Sequence, residues 1–137
     1  MNRFFAHFLF LLAAWTLVIK YVFPVTYAIY YDLPVGSHVY LDLWPVVHIW
    51  LGWSLLHWRR STFAMAAGIS IAEIVIVVSK FVVFLAGPEW TIWRTNWFIN
   101  KVFVLGCFVM LLTWLLLNAS TLRRAQVVEG AARASES

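Results

Sequence analysis

Residues 62–86, TFAMAAGISIAEIVIVVSKFVVFLA, form an unbroken apolar run that contains Glu73 and Lys80. A helix of about 20 such residues crosses a bilayer. Lys80 follows Glu73 by seven positions, so at 3.6 residues per turn the two share nearly one face. An ionisable group at membrane depth costs about 2.5–3.5 kcal/mol or more unless it is paired or wetted. Any fold of this chain must therefore cover that face with its other apolar segments and supply partners for the charges.

The composition excludes an ordinary soluble domain. Of the 137 residues, 64% are hydrophobic and 12% charged, against about 25% charged in a typical globular chain. One membrane domain over 1–117, followed by a polar cytoplasmic tail at 118–137, accounts for the whole length. The excess of ten Lys and Arg over six Asp and Glu falls largely at helix ends, where it sets topology and does not indicate nucleic-acid binding. Cys107 is the sole cysteine, which excludes an internal disulfide, a CxxC pair and a cysteine-built metal site.

Hydropathy and breakers predict an all-α, polytopic four-transmembrane-helix bundle. The first span covers about 4–23, or reaches 31 through a kink at Pro24. It is too long for a cleaved signal, and no A-x-A site follows. The turn 32–37 leads to a second span at 38–58, the third lies at 62–86, and the fourth at 98–117. Between the last two, Pro88 and Glu89 suit the start of a short interfacial helix in the second outer loop. Its Trp90, Trp93 and Trp97 fall at i, i+3 and i+7 as one aromatic stripe. That stripe acts either as an interfacial belt or as a lid. With four spans, Arg3, Arg59–Arg60 and Arg123–Arg124 share one side, which the positive-inside rule assigns to the cytoplasm together with both termini. A multi-pass protein of a bacterial inner (plasma) membrane is the default expectation.

On this layout Asp42, Lys80, Lys20 and Lys101 converge on the outer half of the bundle as a ligand-binding or ion-pairing set. Either Asp42 holds one lysine and the others attract an anionic ligand, or Asp42–Lys80 is a structural pair; the Lys80 Cβ leans away from the nearer interface, which favours a bundle-facing partner for it. Lys20 and Lys101 are close enough to the headgroups to snorkel. Glu73 and His48 lie at matching mid-membrane depth, and a carboxyl beside an imidazole can pass a proton between them. They are either a proton-coupling pair or a hydrogen-bonded strut, with Ser70 as another partner for Glu73. His38 and Asp42 are four apart, a weak two-ligand spacing, so no metal site is assigned. His7, His48 and His57 differ in depth, so heme or quinone enters only if other subunits share it. Trp50 and Trp53, with Gly52, offer a packing surface for another subunit.

Size and span count resemble the small multidrug resistance exporters. Those carry a membrane-embedded glutamate in their first helix, whereas spans one and four here hold no acid, so no residue roles transfer. The residues themselves support a small membrane protein with a charged pocket open to the non-cytoplasmic side. It would bind or transport an anionic or amphipathic ligand, with proton coupling through Glu73 and His48. The chain would work as a homo-oligomer or beside other membrane subunits. The alternatives are an accessory subunit of a larger membrane complex and a lipid-modifying enzyme; no catalytic constellation is visible for the last.

Overall fold

The computed structural model describes residues 1–37, 39, 41–59, 61–122, 124, 127 and 128. His38, Arg60, Arg123 and most of the predicted polar tail lie outside the described residues. Four apolar helices follow one another: α1 (Asn2–Tyr30), α2 (Trp44–Leu56), α3 (Thr62–Ala86) and α4 (Ile92–Leu117). Among the described residues there is no β-strand. α1, α3 and α4 are long and apolar enough to cross a membrane, which is the pattern of an all-helical membrane bundle.

Ring contacts and hydrogen bonds give the helix order. Phe5 near the start of α1 meets Trp114 near the end of α4 at 5.1 Å, while Phe23 meets Trp93 at 5.3 Å. α1 and α4 are therefore antiparallel, and the chain enters and leaves the bundle at the same end. α2 runs back along α1 from Asp42, beside Tyr21, to Gly52, beside Ala6 and Phe10. α3 returns in the opposite sense and hands over to α4 through Phe81–Phe98 and Phe84–Trp97 contacts.

Two predicted boundaries are corrected. The second span was expected at 38–58, but α2 has 13 helical residues, about 20 Å of rise, and Leu41–Leu43 enter it without helical structure. Pro45 stands at the second position of α2 and cannot donate a backbone hydrogen bond, so it belongs at a helix start. The separate interfacial helix is also replaced. Thr91 caps α4, its hydroxyl accepting from the Arg94 amide at 3.3 Å. With no breaker between 92 and 98, Trp93 and Trp97 belong to the first turns of the long helix, and Trp90 stands outside it.

α1 is not uniform. Val18–Val22 form a π-turn, with the Phe23 amide bonded to the Val18 carbonyl. Pro24 supplies the cause. Its ring clashes with the carbonyl four residues back and it has no N–H to offer, so the turn widens by one residue in place of breaking. The helix ends at Tyr31 with two reverse bonds, Leu33 to Ala28 at 2.8 Å and Asp32 to Ile29 at 3.3 Å. This closure needs a left-handed residue, and Asp32 takes it at φ 51°.

The interior is divided along the bundle axis. Around the end that holds the chain's start, Leu9, Leu12, Leu51, Leu55, Phe108, Leu111 and Leu115 form a closed apolar core with Ala66 and Cys107. Gly52 permits the close approach of α2 to α1 there. A Cβ at this position would lie 2.9 Å from the Phe10 ring and 3.1 Å from the Ala6 carbonyl oxygen. Gly52 is thus used within the chain and not as an outward packing surface, while Trp50 and Trp53 remain more than half exposed. Gly52→Leu should cost about 1–3 kcal/mol by overpacking, read as a lower unfolding midpoint in detergent. Gly68→Ala, where nothing lies within 4 Å, should gain about 0.5–1 kcal/mol in the same assay.

Candidate functional site

The π-turn and the coil before α2 build the outer half of the site together. The widened turn presents Lys20 and Tyr21 toward the same segment. The Lys20 ammonium is in contact with the Asp42 carboxylate, and the Tyr21 hydroxyl accepts from the Asp42 amide at 2.9 Å. The other Asp42 oxygen accepts from the Trp44 amide at 2.9 Å, fixing the first turn of α2. Asp42 therefore pairs with Lys20, and the alternative of a structural Asp42–Lys80 pair is not what forms. Lys20 is held by a partner and does not snorkel. Lys20 lies within the π-turn that faces the segment before α2.

Lys101 is a second correction. It was placed near the end of its span, but α4 begins at Ile92, so Lys101 lies nine residues inside and is 4% exposed. It interacts electrostatically with Glu73 and Lys80. Its burial was readable from spacing: Asn100, Lys101, Val104, Cys107, Phe108, Leu111 and Leu115 form one buried helical stripe. Lys80 is exposed and makes no ion pair with a described carboxylate.

Glu73 and His48 come together as the sequence suggested. The Oε1 of Glu73 lies 3.4 Å from Nε2 of His48, and both side chains are 1% exposed. Ser70 does not join them, since its hydroxyl donates to the Ala66 carbonyl at 2.7 Å. The second polar atom of each, His48 Nδ1 and Glu73 Oε2, is buried without a hydrogen-bond partner, as are Thr16 Oγ1 in α1 and Asn100 Oδ1 in α4. Each helix thus contributes to a polar interior: Thr16 from α1, His48 from α2, Glu73 from α3, and Asn100 with Lys101 from α4. Thr16 and Asn100 were missed; neither carries charge, and neither stands out in an apolar run without knowing which helix faces it.

Above the pair opens a vestibule of about 540 Å³, lined by Lys20, Asp42 and Lys80, by Trp44, Trp93 and Trp97, and by Asn96 and Asn100. His48 is one helical turn beyond Trp44, their rings 6.1 Å apart, and Lys101 is next to Asn100. Trp93 and Trp97 are vestibule walls. Trp90 is not; it packs on Phe84 and Phe98 at 4.9 and 5.3 Å. A second cavity of about 540 Å³ lies on the other side of Lys80.

Among the described residues, no three His, Cys, Asp or Glu side chains are grouped to hold a metal ion. The His38 of the two-ligand spacing lies outside those residues, and both Asp42 oxygens are already engaged. No protein-family model, curated protein or solved structure matches this chain.

The Lys20–Asp42 contact is largely shielded, with side-chain exposures of 26% and 10%, so removing one partner strands the other. Lys20→Met and Asp42→Asn should each lower stability, and the double variant should lose less than the two combined. The expected coupling is about 1–3 kcal/mol, measured by a double-mutant cycle of unfolding in detergent.

Proposed function

We propose that the protein is a four-span membrane carrier or receptor that admits an anionic amphipath into the vestibule and couples its occupancy to protonation of the Glu73–His48 pair. The observation that carries this reading is the vestibule itself, walled by two lysines and three indoles, with a buried carboxyl–imidazole pair one helical turn beyond its Trp44 wall. Lysine ammonium groups attract phosphate or carboxylate without demanding fixed geometry. The indoles suit the adjoining hydrocarbon. The apolar core closes the other half, so access is one-sided in this conformation. Two features of the chain favour a role beside other membrane subunits as the second reading: the short α2 and its exposed Trp50 and Trp53.

The orientation proposed is that of a bacterial inner membrane, with both termini in the cytoplasm and the vestibule facing outward. Arg3 and Arg59 support it, because they lie at the closed end of the bundle. In a Cys107→Ala background, Glu89→Cys should react with a membrane-impermeant maleimide on intact cells, and Ser120→Cys only after permeabilisation. Labelling of the two from opposite sides in the reverse sense, or both from one side, overturns the topology.

Ligand class is tested by titrating decyl phosphate and decyltrimethylammonium into proteoliposomes while following tryptophan fluorescence. Saturable binding of the phosphate alone is expected, weakened about tenfold by Lys80→Gln, the loss of one charge-assisted contact. Asn96→Phe, which narrows the vestibule, should abolish it. Glu73→Gln should leave binding in place and remove the accompanying proton uptake. An equal response to the cation, or binding indifferent to Asn96→Phe, sinks the vestibule reading and favours the subunit role.

A further inference from the structure

The second cavity lies in a groove between the last turns of α3 and the first of α4, lined by Ser79, Lys80, Val83, Phe84, Gly87, Arg94 and Trp97. The α3 contributors recur at one-, three- and four-residue steps, so they form a single stripe along the helix. Lys80, Val83, Gly87 and Arg94 are all exposed, and Val83 is among the most exposed apolar side chains of α3, at 77%. The groove therefore opens outward, on the surface that a membrane helix turns to lipid.

Its charges are unbalanced. Lys20 is matched by Asp42, and Arg94 lies 3.6 Å from Glu89 in an exposed pair. Buried Lys101 interacts with Glu73. Lys80 has no carboxylate of its own within ion-pair distance among the described residues. It stands six residues inside the end of α3, about 9 Å along the axis. Its Cβ leans further inward, so escape to the headgroup layer is hindered. An ammonium at that depth calls for an anion that can itself enter the hydrocarbon boundary.

We propose that this groove is a binding site for an anionic phospholipid, its phosphate between Lys80 and Arg94 and an acyl chain along Val83. Basic clefts between transmembrane helices suit lipid phosphate, and the Trp97 indole belongs at the same level. The site is separate from the vestibule, although Lys80 and Trp97 line both. Gly87 leaves room for the lipid: a Cβ there would meet nothing within 4 Å.

The full-length protein in nanodiscs of phosphatidylglycerol and phosphatidylcholine, released into native mass spectrometry, reads out the retained lipid. Phosphatidylglycerol should be retained in preference, and the combined Lys80→Gln and Arg94→Gln variant should retain it about tenfold less. Gly87→Phe, which fills the groove from open space, should displace it, and Asn96→Phe should not. Equal retention of both lipids, or retention unaffected by Gly87→Phe, overturns the site. Loss on Asn96→Phe in place of Gly87→Phe moves the lipid to the vestibule, which refutes the groove and supports the earlier reading. A further arm measures whether inorganic phosphate protects Lys80 from amine acylation in pure phosphatidylcholine. Protection at millimolar phosphate assigns the site to a soluble anion and refutes the lipid; none is expected.

Discussion

Burial of Glu73 is the constraint on which the rest of the bundle depends. A carboxyl at 1% exposure in the middle of a 25-residue apolar helix has no water to turn to, and hydrocarbon offers it nothing. The facing helices respond with polar groups, His48 and Thr16 among them, and with Lys101 of opposite charge. Those groups bring their own requirements. His48 needs α2 held in register against α3, and Lys101 needs its span to start early enough to place it inside. One buried acid thereby fixes the mutual rotation of all four helices.

The register of α2 is secured at both ends by unlike means. At the closed end, Gly52 lets two backbones approach until a Cβ would clash, and dispersion among Leu9, Leu12, Leu51 and Leu55 does the rest. At the open end Asp42 takes over. It is bonded to Lys20, to Tyr21 and to its own helix through the Trp44 amide. The π-turn enforced by Pro24 makes this possible, since it brings successive residues of α1 to one partner. A proline that would be a defect in a soluble helix here shapes the wall of the vestibule, which Pro24 itself lines.

The resulting asymmetry suits a protein that must remain sealed yet admit something from one side. Leucine and phenylalanine close one half, while lysine, asparagine and tryptophan hold the other open. The protonatable pair lies at the boundary, where water from the vestibule would be expected to end.

Much of this was determined by the sequence alone. Long apolar runs dictate helices, because a backbone in lipid must satisfy its own hydrogen bonds, and the seven-residue spacing of Glu73 and Lys80 demands a covered polar face. The matching depth of Glu73 and His48 was legible in the sequence, but their contact needed the right face of each helix. What depth does not contain is rotation and helix start. The choice of Lys20 over Lys80 as partner of Asp42 depends on which faces of α1 and α3 turn toward the segment before α2. The burial of Lys101 hung on Thr91, a single cap that lengthened α4 by two turns. Thr16 and Asn100 became part of the site only once the packing faces were known. Length and hydropathy are sums over a segment and survive any rotation of it. A contact depends on the angle of each helix about its own axis, and only the packing of all four together sets that angle.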